Sequence, residues 1–128
     1  MNAKAKFLAN ERRDELFASA EWKSVVSGRW LREGIPQLAH RVARTKSHIE
    51  KWGDEVVNHP LNMVPVLDLN ENAACNLAKR RAEAHALMER IIRITTGRES
   101  EPDMSHEYAE LRRQFAETRI LDETDGKR

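Results

Sequence analysis

"NHPLNMVPVLDLNEN", residues 58–72, is the stretch on which the fold turns. Its two prolines and its Leu, Met and Val side chains interrupt a chain that otherwise reads as charged, helix-forming sequence. Pro60 restricts His59 to extended geometry and stops any helix arriving from the N-terminal side. Asp68, followed three residues later by Glu71, has the spacing of a capping box, with Asn70 as the alternative cap, so a new helix starts just beyond. A turn between antiparallel helices needs about 2 to 8 residues, whereas this connection spans about 14, a length typical of functional or disordered segments. Disorder fits poorly with Leu61, Met63, Val64, Val66, Leu67 and Leu69, because disordered segments are poor in such side chains. These side chains need a surface. Either the loop folds back over its own hairpin tip and covers Trp52 and Val56, or it docks on another subunit or protein. Burying three of them contributes about 5 to 8 kcal/mol before ordering costs in either case.

On each side of the stretch lies an apolar seam. Leu38, Val42, Thr45, Ile49, Trp52 and Val56 advance in steps of four and three from Pro36 to Val57. Ala73, Leu77, Ala84, Leu87, Ile91 and Ile94 do the same after the loop, with Arg80 as one polar entry. The spacing predicts helices over 36–57 and 72–95, roughly 33 and 36 Å long at about 1.5 Å per residue, matched partners for an antiparallel hairpin. Arg90 and Arg93 near the end of the second helix, with Gly97 just past it, mark its C-terminus.

Before the hairpin, "NERRDELFA" reads as a helix near 10–18 capped by Asn10, and Ser19 as the cap of a second. Trp22, Val26 and Trp30 would then share one face. Gly34 and Pro36 place a joint at 34–36. After the hairpin, a helix over about 104–122 carries the stripe Tyr108, Leu111 and Phe115. The expectation is a single all-α domain over 1–128: N-terminal helices in 1–35, a hairpin in 36–95 joined by the apolar, proline-containing loop, and an acidic helix and tail in 99–128.

Composition excludes several classes. The chain has 128 residues, 34% of them charged and 5% aromatic, and its 22 basic and 21 acidic side chains give no global field to attract nucleic acid. The charge is nevertheless uneven: residues 1–52 hold 11 basic against 6 acidic groups, and residues 99–128 hold 5 against 9. No apolar run approaches the roughly 18 residues of a membrane span. The N-terminus lacks the apolar core of a signal peptide, and Cys75 has no intramolecular partner, so a reducing, cytoplasmic setting is expected.

Catalytic constellations are not apparent. Histidines 40, 48, 59, 85 and 106 lack zinc-finger or H-E-x-x-H spacing, and Asp103 and His106 read as a helix start rather than a metal pair. Cys75 has no histidine near it in sequence and reads as a buried, inert thiol. Glycine-rich phosphate loops are absent. No enzyme and no cofactor is expected.

Two binding readings lead, with an inhibitor or ligand-binding helical oligomer as a third. In the first, a protein-assembly surface uses Leu61, Met63, Val64 and Val66 of the loop, Trp22 and Trp30, and Tyr108 and Phe115 of the last helix. In the second, Arg41, Arg44, Lys46 and Lys51 on one hairpin helix and Lys79, Arg80 and Arg81 on the other form a basic face for nucleic acid. The layout "LFASAEWKSVVSGRWLREGIPQLAHRV" followed by "NLAKRRAEAHALMERIIRI" resembles small helical-hairpin proteins encoded among the structural genes of tailed bacteriophages, over residues 16–95. The resemblance implies a non-catalytic virion or assembly component that contacts itself or other subunits. The long loop and the acidic last helix depart from that pattern.

Overall fold

The computed structural model describes residues 12–126, so the Asn10 cap lies outside the described residues. The first helix, α1 (residues 12–19), buries Leu16 and Phe17, with the Arg13 guanidinium 5.6 Å from the Phe17 ring centroid. Ser19 starts no second helix. Its hydroxyl donates back to Glu15 O, and the chain reverses through Glu21 and Trp22, both at positive φ (58° and 57°). Buried Ser24 then competes for the backbone: its Oγ accepts from Val26 N–H and Ser27 N–H, and its N–H reaches Arg29 O across a turn that Gly28 closes at φ +74°. Lys23 and Trp30 bridge as an isolated antiparallel pair, so Trp22, Val26 and Trp30 do not share a helical face.

The joint at 34–36 is present, but it leads into a strand rather than a helix. A 3-10 turn over Leu31–Glu33 ends at Gly34, and β1 (Gln37–His40) pairs antiparallel with β2 (Met63–Val66), Gln37 opposite Val66 and His40 opposite Met63. The fold is therefore mixed α/β, with helices around a two-stranded ribbon, and not all-α. Pro65 lies within β2, opposite Leu38, and its carbonyl accepts from Val25 N–H.

Neither long hairpin helix forms. The span 36–57 divides into β1, a turn, α2 (Lys46–Trp52) and α3 (Asp54–Val57). Thr45 caps α2 by accepting from His48 N–H, and Gly53 at φ +93° ends it and starts α3. The span 72–95 divides into α4 (Leu69–Cys75) and α5 (Arg81–Thr95), because Asn76 turns extended and its Oδ1 accepts from Ala78 N–H at 2.7 Å. The Asp68 cap is present: Asp68 Oδ1 accepts from Glu71 N–H, while the Glu71 carboxylate accepts from Leu67 N–H and from the Ser24 hydroxyl. Gly97 follows α5 at φ +80°, and α6 (Met104–Gly126) closes the chain.

The stretch 58–72 lies at the centre of this arrangement. A 3-10 turn over Pro60–Asn62, strand β2 and the first turns of α4 replace the expected loop. Val64 and Val66 pack with Leu16, Ala20, Val25, Ala39, Cys75 and Tyr108 in one apolar cluster. Leu61 joins Val42, Val56, Met88, Ile91 and Ile94 in a second. Tyr108 on α6 is buried against this stretch and donates its hydroxyl to Met63 O at 2.8 Å, and burial raises its pKa above the usual phenol range. Each fully buried aliphatic side chain here contributes about 1.5–3 kcal/mol, so the apolar residues that interrupt the sequence make up much of its core.

Candidate functional site: a basic cleft

Between α2, the turn 76–80 and the start of α5 lies an open cleft of about 920 Å³. Val42, one of its lining residues, is held by Asn62, which is fully buried and stands behind the cleft. Asn62 Oδ1 accepts from Val42 N–H at 2.8 Å, and its Nδ2 donates to Val42 O at 3.0 Å and Val57 O at 2.8 Å. Arg41, one residue before Val42, is pinned from both sides: its N–H donates to Asn62 O, and its carbonyl accepts from Leu77 N–H at 2.8 Å. The odd stretch thus fixes the backbone from which Arg41 enters the cleft.

The other lining groups come from separate elements. Lys51 and Trp52 end α2, with the Lys51 ammonium 4.9 Å from the Trp52 ring centroid. His85 on α5 meets Trp52 edge-on at 5.2 Å and 69°. His48 lies 2.8 Å by Nδ1 from Ala43 O; a carbonyl only accepts, so Nδ1 donates in this bond. Leu77 anchors the turn in the protein, and Arg81 opens α5, whose N-cap residue Arg80 provides no side-chain cap.

The electrostatics are one-sided. Among the described residues, Arg41, Lys51 and Arg81 form no salt bridge, while Glu89, the acid on the wall, is engaged by His85 Nδ1 at 3.2 Å. Burial lowers the pKa of Arg41, and its buried Nε has no hydrogen-bond partner. Cys75 stands near enough to interact with this charge, yet burial pushes its thiol up to about 12, so at neutral pH it offers no counter-charge. Glu83, bridged to Arg80, acts on the Arg41 charge without a salt bridge to it; a desolvated guanidinium so placed is costly, and a bound anion relieves it.

The seven basic residues read from the sequence do not lie along two hairpin helices. Arg41, Lys51 and Arg81 line the cleft from a strand end, α2 and α5. Lys79 and Arg80 stand exposed on the adjoining turn, with Arg80 3.3 Å from Glu83. Lys46 and Arg44 are exposed at the start of α2, Arg44 3.8 Å from Asp54. The sequence reading missed Asn62 and the Trp52–His85 ring pair. The signal for Asn62 was an amide inside an apolar run, which burial obliges to be hydrogen-bonded.

The residues expected to form an assembly surface are largely internal. Leu61, Val64, Val66 and Tyr108 are buried in the chain's own core, so they are not offered to a partner. Met63, Phe115 and Trp22 are half-buried, and Trp30 is 54% exposed. Ile35 and Leu69 are the other large apolar side chains left exposed among the described residues. Asp103 Oδ1 accepts from Ser105 N–H at the start of α6. Among the described residues no group of three or more His, Cys, Asp or Glu side chains is placed to hold a metal ion, and no helix is long and apolar enough to cross a membrane.

No protein family, curated protein or solved structure matches the chain.

Proposed function

We propose that the protein is a non-catalytic binding protein that holds a single-stranded nucleic acid by the cleft between α2 and α5. The observation that carries this reading is the convergence of Arg41, Lys51 and Arg81, without carboxylate partners among the described residues, beside the Trp52 ring. Single-strand binders combine a cationic groove for the backbone with aromatic side chains on which bases stack. Exposed Lys79, Lys46 and Arg44 extend the positive surface beyond the cleft.

Anisotropy of a labelled single strand, titrated with salt, tests it. Three phosphate contacts give a slope of log K against log salt near −2, roughly a fifteenfold loss of affinity between about 50 and 200 mM. The double variant Lys51→Gln, Arg81→Gln should weaken binding and flatten the slope. Absence of binding at low salt, or a slope the variant leaves untouched, overturns the reading.

Exposed Trp30, Ile35 and Leu69 favour a second reading, assembly with like or foreign subunits as in a virion component. Because Gln37 pairs with Val66, Ile35 and Leu69 flank the same end of the ribbon. Light scattering over a concentration series tests it: a mass that stays monomeric removes self-association.

A further inference from the structure

We propose that the cleft grips the end of a strand, seating a terminal phosphomonoester against Arg41 and the terminal base against Trp52; this rests on the nucleic-acid reading above. Three observations place the phosphate. Arg41 borders the cleft and also two smaller cavities of about 120 Å³ each, so its side chain adjoins space on more than one side. Its backbone is clamped by Asn62 and Leu77, so its position is set before any ligand arrives. Its guanidinium forms no salt bridge among the described residues and its buried Nε has no hydrogen-bond partner, although the Glu83 carboxylate, bridged to Arg80, acts on its charge.

These features favour a monoester over a diester. A terminal phosphate carries about −1.5 to −2 at neutral pH and three terminal oxygens, whereas an internal phosphodiester carries a single charge. A guanidinium fork binds such a group through two parallel, charge-assisted hydrogen bonds. The volume also fits an end better than a through-running strand: about 920 Å³ lies within the range of pockets that enclose one small molecule. On the α5 wall Ala82, Ala84 and Ala86 add little bulk beside His85, whose ring rests against Trp52.

The test compares strands of one sequence bearing a 5′-phosphate, a 3′-phosphate or no terminal phosphate, with a nucleoside monophosphate and inorganic phosphate as competitors. At least one phosphorylated end should bind about tenfold tighter than the unphosphorylated strand, the gain expected of one added charge-assisted contact. The nucleoside monophosphate should displace the strand at lower concentration than inorganic phosphate. Arg41→Lys, which keeps the charge and loses the fork, should bring the ratio of phosphorylated to plain affinity down towards one. Urea melts monitor its folding, and if it fails to fold, the exposed pair Lys51→Gln, Arg81→Gln must reduce the preference instead. Equal affinity for phosphorylated and plain strands overturns this inference and leaves the broader reading intact. Loss of all strand binding overturns both. Equal competition by inorganic phosphate overturns the role given to Trp52.

Discussion

Replacing Asn62 with alanine tests the internal logic of the fold most directly. The side chain makes three hydrogen bonds of 2.8 to 3.0 Å, to the Val42 N–H and to the Val42 and Val57 carbonyls, at a site with no exposure. Each bond is worth about 1 kcal/mol net, and groups left buried without partners cost more, so the three together with a small cavity amount to about 3–5 kcal/mol. Domains of this size have about 5–15 kcal/mol in all, so the variant folds but stands near its limit. With an m-value of about 2 kcal/mol/M, the urea midpoint should drop by roughly 2 M at unchanged slope. Leu69→Ala, at a position 73% exposed, is the control and should stay within about 0.5 kcal/mol of the parent. A loss below about 1 kcal/mol for Asn62→Ala would show that the amide does not hold the 41–42 segment and would remove the physical basis for a preset Arg41.

Gly34→Ala brings a Cβ within 2.6 Å of Leu67 O and 2.8 Å of the Leu67 side chain, so backbone must move. About 2–3 kcal/mol of destabilisation, a Tm lower by roughly 8–12 °C in a thermal melt, is expected. Arg90 ties the end of α5 to Glu99 at 3.0 Å and to Glu107 at 2.6 Å, and its hydrogen bond is the main reason the Glu99 carboxyl titrates below its usual range. A carboxylate whose folded pKa is depressed contributes stability above its unfolded pKa of about 4.3 and loses it as pH falls through the folded value. Arg90→Met should therefore show a shallower loss of stability below about pH 4.5 than the parent in acid denaturation. Cys75, buried and with its thiol raised to about 12, should resist alkylation at pH 8 in the folded protein and react promptly in urea.

The sequence carries the punctuation of this fold better than its elements. Caps and stops at Asp68, Gly97 and the 34–36 joint can be read from residue type, because each acts through its own backbone. The two seams mislead because membership of a core and membership of one helix produce the same spacing. Val42, Trp52 and Val56 do face the same cluster as Ala84, Leu87, Ile91 and Ile94, but they reach it from a turn and two short helices. Thr45, Gly53 and Asn76 are the breaks that periodicity conceals: a hydroxyl cap, a left-handed glycine and an Asx turn. The strand in "MVPV" hides differently. Val64, Pro65 and Val66 are all buried, so the strand lacks alternation, and its proline argues against a ladder. As for the site, its basic residues are visible in the sequence, but their convergence depends on the β1–β2 pairing, which residue spacing alone did not reveal.

The place of Pro65 has one more consequence. Opposite Leu38 its nitrogen, which has no proton, and its carbonyl both point away from β1, and the carbonyl is already taken by Val25. The outward margin of β2 therefore lacks one donor and has one acceptor occupied, so an incoming strand from a second molecule finds no row of groups to copy. A two-stranded ribbon with valine-rich sequence would otherwise invite edge-to-edge growth into fibrils. One imino acid at mid-strand lets the protein keep a greasy β segment at its heart without templating its neighbours.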